Sequence, residues 1–162
     1  MLRAAHQQRW DLVATLAREG KADARASDER GTLALVLAAR AGQEEAVLQL
    51  LRRGAPVDAR DGQGHTALGV AAQAGHLQLV RMLLREGADP TRWSANGQAP
   101  LHLAALAGHV AVMQALLTLG TPLELLNNKR ETALDVAAQS GQLEVMDHLL
   151  AAGADALRAG RR

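Results

Sequence analysis

Cysteine is absent from this chain, which excludes a disulfide framework, a thiolate zinc site and a cysteine nucleophile. Phenylalanine and tyrosine are absent too, and there are only two tryptophans. The interior must therefore be built from Ala, Leu and Val, and the Ala and Leu among them are strong helix formers that favour helices lying close together. An excess of charge of either sign is also missing: 18 basic and 17 acidic residues leave a formal charge of +1. Without a clustered basic face there is no electrostatic case for binding nucleic acid. The one local excess, Arg158, Arg161 and Arg162, reads as a solvated terminus. Long hydrophobic runs are lacking as well. The longest, Leu33 to Ala39, is far short of a bilayer span, and the opening MLRAAHQQRW has no apolar stretch of the secretory kind. These absences predict a soluble cytoplasmic protein, nuclear if the source is a eukaryote, with no membrane partner.

What is present is periodicity. At 162 residues and 48% apolar content, the chain suits one compact domain or one short array of repeats. Gly42, Gly75, Gly108 and Gly141 are spaced by 33 residues. The same step links Gly54, Gly87, Gly120 and Gly153, and also Leu35, Leu68, Leu101 and Leu134. Two adjacent alanine columns, beginning at Ala38 and Ala39, obey it, as do two adjacent leucine columns beginning at Leu50 and Leu51. Such self-similarity marks a stacked-repeat architecture.

Each copy reads as two short helices of about nine or ten residues. Thr66 is placed to cap the first of a pair, whose Leu68, Ala71 and Ala72 share one face. Gly75 then ends it where a left-handed backbone is wanted. Leu77, Val80, Leu83 and Leu84 form the stripe of the second helix, which Gly87 ends. Thr132 and Asp135 have the spacing of a capping box. Asp61-Gly62-Gln63-Gly64 and Asn96-Gly97 supply turn chemistry between copies. Helices this short are marginal alone, so each pair must bury its apolar face on the next.

Gly64-His65-Thr66-Ala67-Leu68 with Ala71-Ala72, Gly75-His76 and Leu83-Leu84-Arg85-Glu86-Gly87-Ala88-Asp89 resembles the ankyrin repeat. So does the copy carrying Gly97, Pro100-Leu101-His102, Ala104-Ala105 and Gly108-His109. The resemblance covers nearly the whole chain, although no copy has the complete Thr-Pro-Leu-His string. It implies an all-α solenoid of helix-turn-helix pairs with projecting hairpin fingers, forming a single ankyrin-repeat domain over residues 1–162. Residues 1–27 stand as a truncated N-terminal cap. Residues 28–60, 61–93 and 94–126 are full repeats, and 127–162 form a C-terminal repeat with a short basic tail. Glu144, Asp147 and His148 can face water there as a cap.

Catalytic chemistry has little to stand on. No HExxH, phosphate loop or serine elbow occurs. His76 and His109 occupy successive copies of one slot that the resemblance makes structural, and His102 is expected to bond to backbone. Trp10 begins a second helix in a column of mixed polarity and is expected to be half-buried packing. The expectation is no enzyme, no catalytic or metal residue and no cofactor.

Recognition is better motivated. The resemblance assigns binding to the finger tips and to the outward side of the first helices, on a concave face. Trp93 aligns with Arg60 and Leu126 at a finger, Leu125 lies beside it, and Leu106 stands where other copies have Arg40, Gln73 and Gln139. An apolar cluster of that kind has the composition of a binding hot spot. The competing reading folds Trp93 onto its own hairpin, with Leu125 burying the turn. Polar groups at Arg30, Arg40, Arg60, Asp61, His65, Gln73, Asn96, Gln98, Lys129 and Glu131 would orient the partner. The predicted function is protein–protein binding by a free monomer. It takes the form of a scaffold or adaptor, or alternatively of a stand-alone inhibitor or immunity-type protein covering an enzyme's active surface.

Overall fold

The computed structural model describes residues 1–21, 23–27, 33–94 and 96–154. Their helices form five successive pairs: α1 (Leu2–His6) with α2 (Trp10–Arg18), α3 (Ala34–Arg40) with α4 (Glu44–Arg52), α5 (Ala67–Ala74) with α6 (Leu77–Arg85), α7 (Pro100–Ala107) with α8 (Val110–Thr118), and α9 (Ala133–Gln139) with α10 (Leu143–Ala151). Among the described residues there is no strand, only an isolated bridge between Ser27 and Leu33. None of these helices is long and apolar enough to cross a membrane.

The pairs stack in sequence order. First helices pack on first helices, α1 on α3, then α5, α7 and α9, while second helices form a parallel layer from α2 to α10. The alanine columns explain the close approach. Ala38, Ala39, Ala71, Ala72, Ala104 and Ala105 are fully buried, and only a methyl group separates adjacent backbones there. Leu50, Leu83, Leu116 and Leu149 fill the space beneath, each burial stabilising by roughly 1.5–3 kcal/mol.

The first helices are shorter than the expected nine or ten residues, because their caps bracket them tightly. Thr66 Oγ1 accepts the Gly69 amide at 3.1 Å, and after eight helical residues Gly75 takes the left-handed φ of 79° that closes the helix. The capping box is present as well: the Thr132 amide donates to Asp135 Oδ2 at 2.7 Å, and the Asp135 amide returns to Thr132 Oγ1 at 3.3 Å.

The C-terminal cap is only partly polar. Glu144 and Asp147 face solvent, and His148 is half-buried with Nδ1 bonded to Gln114 Nε2 at 3.1 Å. Yet Ala138 and Leu150, whose counterparts one repeat earlier are Ala105, buried, and Leu117, half-buried, are exposed, as is Leu143. Among the described residues nothing stacks on that side of α9 and α10.

Candidate recognition surface

Three fingers share one local design. Asp61, Ser94 and Asn127 stand one repeat apart, and each exchanges a backbone bond across a hairpin, donating to the carbonyl of His65, Gln98 and Glu131 respectively. Asp61 Oδ1 accepts the amides of Gln63 and His65 at 2.9 Å each, and Oδ2 meets His65 Nδ1 at 3.2 Å. Asn127 Oδ1 does the same for Lys129 and Glu131. Side-chain acceptors of this kind take the place of backbone carbonyls in tight turns.

Asp61 is therefore buried and spent on its own turn, which corrects its expected place among the partner-facing groups. His65 is half-buried against it. Gln98 and Glu131 act as ties between structural groups: Asn127 Nδ2 donates to Gln98 Oε1 at 3.2 Å and to Glu131 Oε2 at 2.8 Å, and Gln139 donates to Glu131 Oε1 at 2.8 Å. Asn96 is exposed, with Oδ1 accepting from the Ser94 hydroxyl at 2.6 Å. Lys129 is exposed. Arg30 lies outside the described residues, as do Glu29 and the arginines at 158, 161 and 162.

A relay runs along the fingers. Arg60 Nη2 donates to the carbonyl of Trp93, and Trp93 Nε1 donates to the carbonyl of Leu126 at 3.1 Å. Trp93 thus lies across the next finger, not on its own hairpin, and keeps 42% of its surface exposed. Leu125 and Leu126 are only half-buried and expose less apolar area than an open patch would.

On the first helices Arg40, Gln73 and Leu106 point outward, Leu106 being 40% exposed. Their carbonyls are held by the following repeat. His76 Nε2 donates to Arg40 and His109 Nε2 to Gln73, each at 3.0 Å, and Gln142 Nε2 donates to Leu106 at 3.1 Å. These histidines therefore fasten neighbours together. Leu106 lies near the far end of α7 from its finger, about 9 Å along the axis from Pro100 at 1.5 Å per residue. Trp93 and Leu106 are consequently two separate exposed apolar side chains and not neighbours in one cluster.

His102 is fully buried beneath the fingers. Nδ1 accepts the Ala99 amide at 3.3 Å, so Nε2 carries the proton and donates to the carbonyls of Leu125 at 3.0 Å and Glu131 at 3.1 Å. Burial pushes its pKa below the ordinary histidine value, opposed in part by those carbonyls and by the charge of Glu131. Among the described residues no group of three or more His, Asp or Glu is arranged to hold a metal.

Residues that the sequence reading missed are Asn127 and Arg130. Arg130 adopts a left-handed φ of 63° in the column where Gly64 and Gly97 stand. A Cβ on Gly97 would lie 1.9 Å from Asn128 Cγ of the next finger, whereas Arg130 is exposed and has room for its side chain. The repeat column, compared for its one non-glycine member, carries that signal.

The family model for ankyrin repeats (3 copies) matches residues 1–93 and again 92–159. No curated protein matches the chain.

Proposed function

Since the chain belongs to the ankyrin-repeat family, whose repeats are generally protein-interaction modules and typically not enzymes, we propose that it binds another protein across its fingers and first helices. Trp93 and Leu106 are the anchors of that reading. The observation that carries it is their exposure: Leu106 in a column that other repeats fill with Arg40, Gln73 and Gln139, and Trp93 in one shared with Arg60 and the half-buried Leu126. Exposed tryptophan is the residue type most enriched in binding hot spots. Arg40, Gln73, Asn96 and Lys129, all exposed, supply polar contacts that set register and on-rate. The hydrogen-bonded relay holds the fingers before a partner arrives, so little ordering entropy is lost on association. The protein works in the cytoplasm as a monomer when free, and as a scaffold or adaptor.

The test compares partner capture by the wild-type chain and by Trp93→Ala/Leu106→Gln, in extract of the source organism. Both positions are exposed, so the fold survives, as a melting curve would verify. Loss of a hot spot worth about 2 kcal/mol weakens binding roughly 30-fold. Equal recovery of the same partners would overturn the assignment. An inhibitor, unlike an adaptor, would also lower its partner's activity in a stoichiometric complex.

A further inference from the structure

The repeat columns act as internal controls on the opposite layer as well. At the ends of the second helices two exposed columns run Arg18, Arg52, Arg85, Thr118, Ala151 and Glu19, Arg53, Glu86, Leu119, Ala152. Charge is kept in the first three repeats and absent from the last two, and only the fourth puts a large apolar side chain there. Helix α8, VAVMQALLT, has no charged residue at all, and Leu119 just beyond it is 52% exposed. An outward helix surface facing only water has no reason to shed its charge.

Between α6 and α8 lies an open groove of about 450 Å³, lined by Leu77, Arg81, Arg85, Ala111, Thr118 and Leu119 among others. Arg81 and Arg85 are exposed one helical turn apart, and among the described residues neither guanidinium has a hydrogen bond or ion pair. No carboxylate lines the groove. Gln114, its one amide, is turned toward α10 by its bond to His148. A channel between parallel helices, apolar along Leu77, Ala111, Ala115 and Leu119 and edged by two arginines without ion pairs, is complementary in charge to an acidic ligand with an apolar face.

We propose that this groove is a second docking surface, for an acidic amphipathic helix of a partner protein. Apolar side chains of that helix would rest on Leu77, Ala111 and Leu119, as in other helix-in-groove recognition. Two of its carboxylates, one turn apart, would meet Arg81 and Arg85, whose planar guanidinium groups suit bidentate pairing with carboxylates. The groove belongs to the layer of second helices, while Trp93 and Leu106 belong to the fingers and first helices. Both can be occupied together, which is what an adaptor requires.

The experiment uses the full chain, isotopically labelled. It is titrated with a synthetic helical peptide of about 18 residues carrying leucines along one face and glutamates beside them. A counterpart with lysine for each glutamate is the control. The expected result is amide shifts centred on Leu77, Arg81, Arg85, Ala111, Thr118 and Leu119 for the acidic peptide alone, weakening with salt. Arg81→Glu/Arg85→Glu should weaken binding at least about tenfold, and so should Leu119→Glu. Equal binding of the lysine peptide, shifts confined to Trp93 and Leu106, or indifference to these substitutions would overturn the proposal. So would sedimentation showing a dimer that Leu119→Glu dissociates, since the occupant would then be a second copy of this chain. The peptide and the substitutions leave the finger face untouched, so failure here is separate from failure of the first reading.

Discussion

Trp93 and Leu126, one repeat apart, are joined by an indole N–H donating to a backbone carbonyl at 3.1 Å. The side chain offering the largest aromatic surface is thereby pinned across the neighbouring finger. In the role proposed for Trp93 this would favour binding, because a side chain already fixed has little rotamer freedom left to lose.

Trp93→Phe isolates that bond while keeping most of the aromatic area. The expected cost is about 0.5–1.5 kcal/mol, the usual net worth of one hydrogen bond. Urea unfolding measures it, and an unchanged midpoint would mean that water replaces the indole N–H at no cost.

His102 predicts a pH dependence. Its folded pKa lies below the ordinary value of 6.5, so the unfolded chain takes up a proton that the folded chain refuses. The side chain's contribution to stability is therefore complete above about pH 6.5 and is lost as pH falls through and below it, with a limiting slope of about 1.4 kcal/mol per pH unit. Protonation would also place a second N–H against the Ala99 amide, where an acceptor is needed. Unfolding midpoints compared at pH 7.5 and pH 5.5 should show a smaller change for His102→Gln than for wild type. Parallel slopes would remove His102 as the cause.

Gly97 and Arg130 make reciprocal predictions. Gly97→Ala meets both a left-handed φ of 73° and the Asn128 side chain, and should destabilise by about 1–3 kcal/mol. Arg130→Gly relieves the same backbone conformation without opening a cavity, and should be neutral or stabilising by up to about 1 kcal/mol. Thermal melts decide it, and destabilisation by both substitutions would show that Arg130 makes a contact outweighing its strain.

Leu143, 72% exposed in the first turn of α10, occupies the column where α4 begins with Glu44. Leu143→Glu places a negative charge at the positive end of the helix and should stabilise by about 0.3–1 kcal/mol. A marked loss of stability on melting would mean that Leu143 is covered by packing that its exposure does not show.

Much of the fold was legible because a repeat writes its core many times over. Ala38, Leu50 and Gly75 each recur at one step, so helix, core face and break could be read directly, and Thr66 and Thr132 marked their caps. The candidate surface was less legible. Leu106 and Trp93 stood out against their columns, but nothing local told Trp93 which finger to lie on or showed that Asp61 would be consumed by its own turn.

The 33-residue step alone determined that helix pairs must stack on their sequence neighbours, since helices this short cannot bury their apolar faces any other way. Tertiary structure alone decided which apolar residues remained in water: Trp93 held open by Leu126, Leu126 itself half-covered, Ala138 exposed although its counterpart Ala105 is buried, and Leu119 at the rim of a groove. Exposure depends on what packs from another repeat, and that neighbour is set by chain geometry over more than thirty residues, beyond the reach of local pattern.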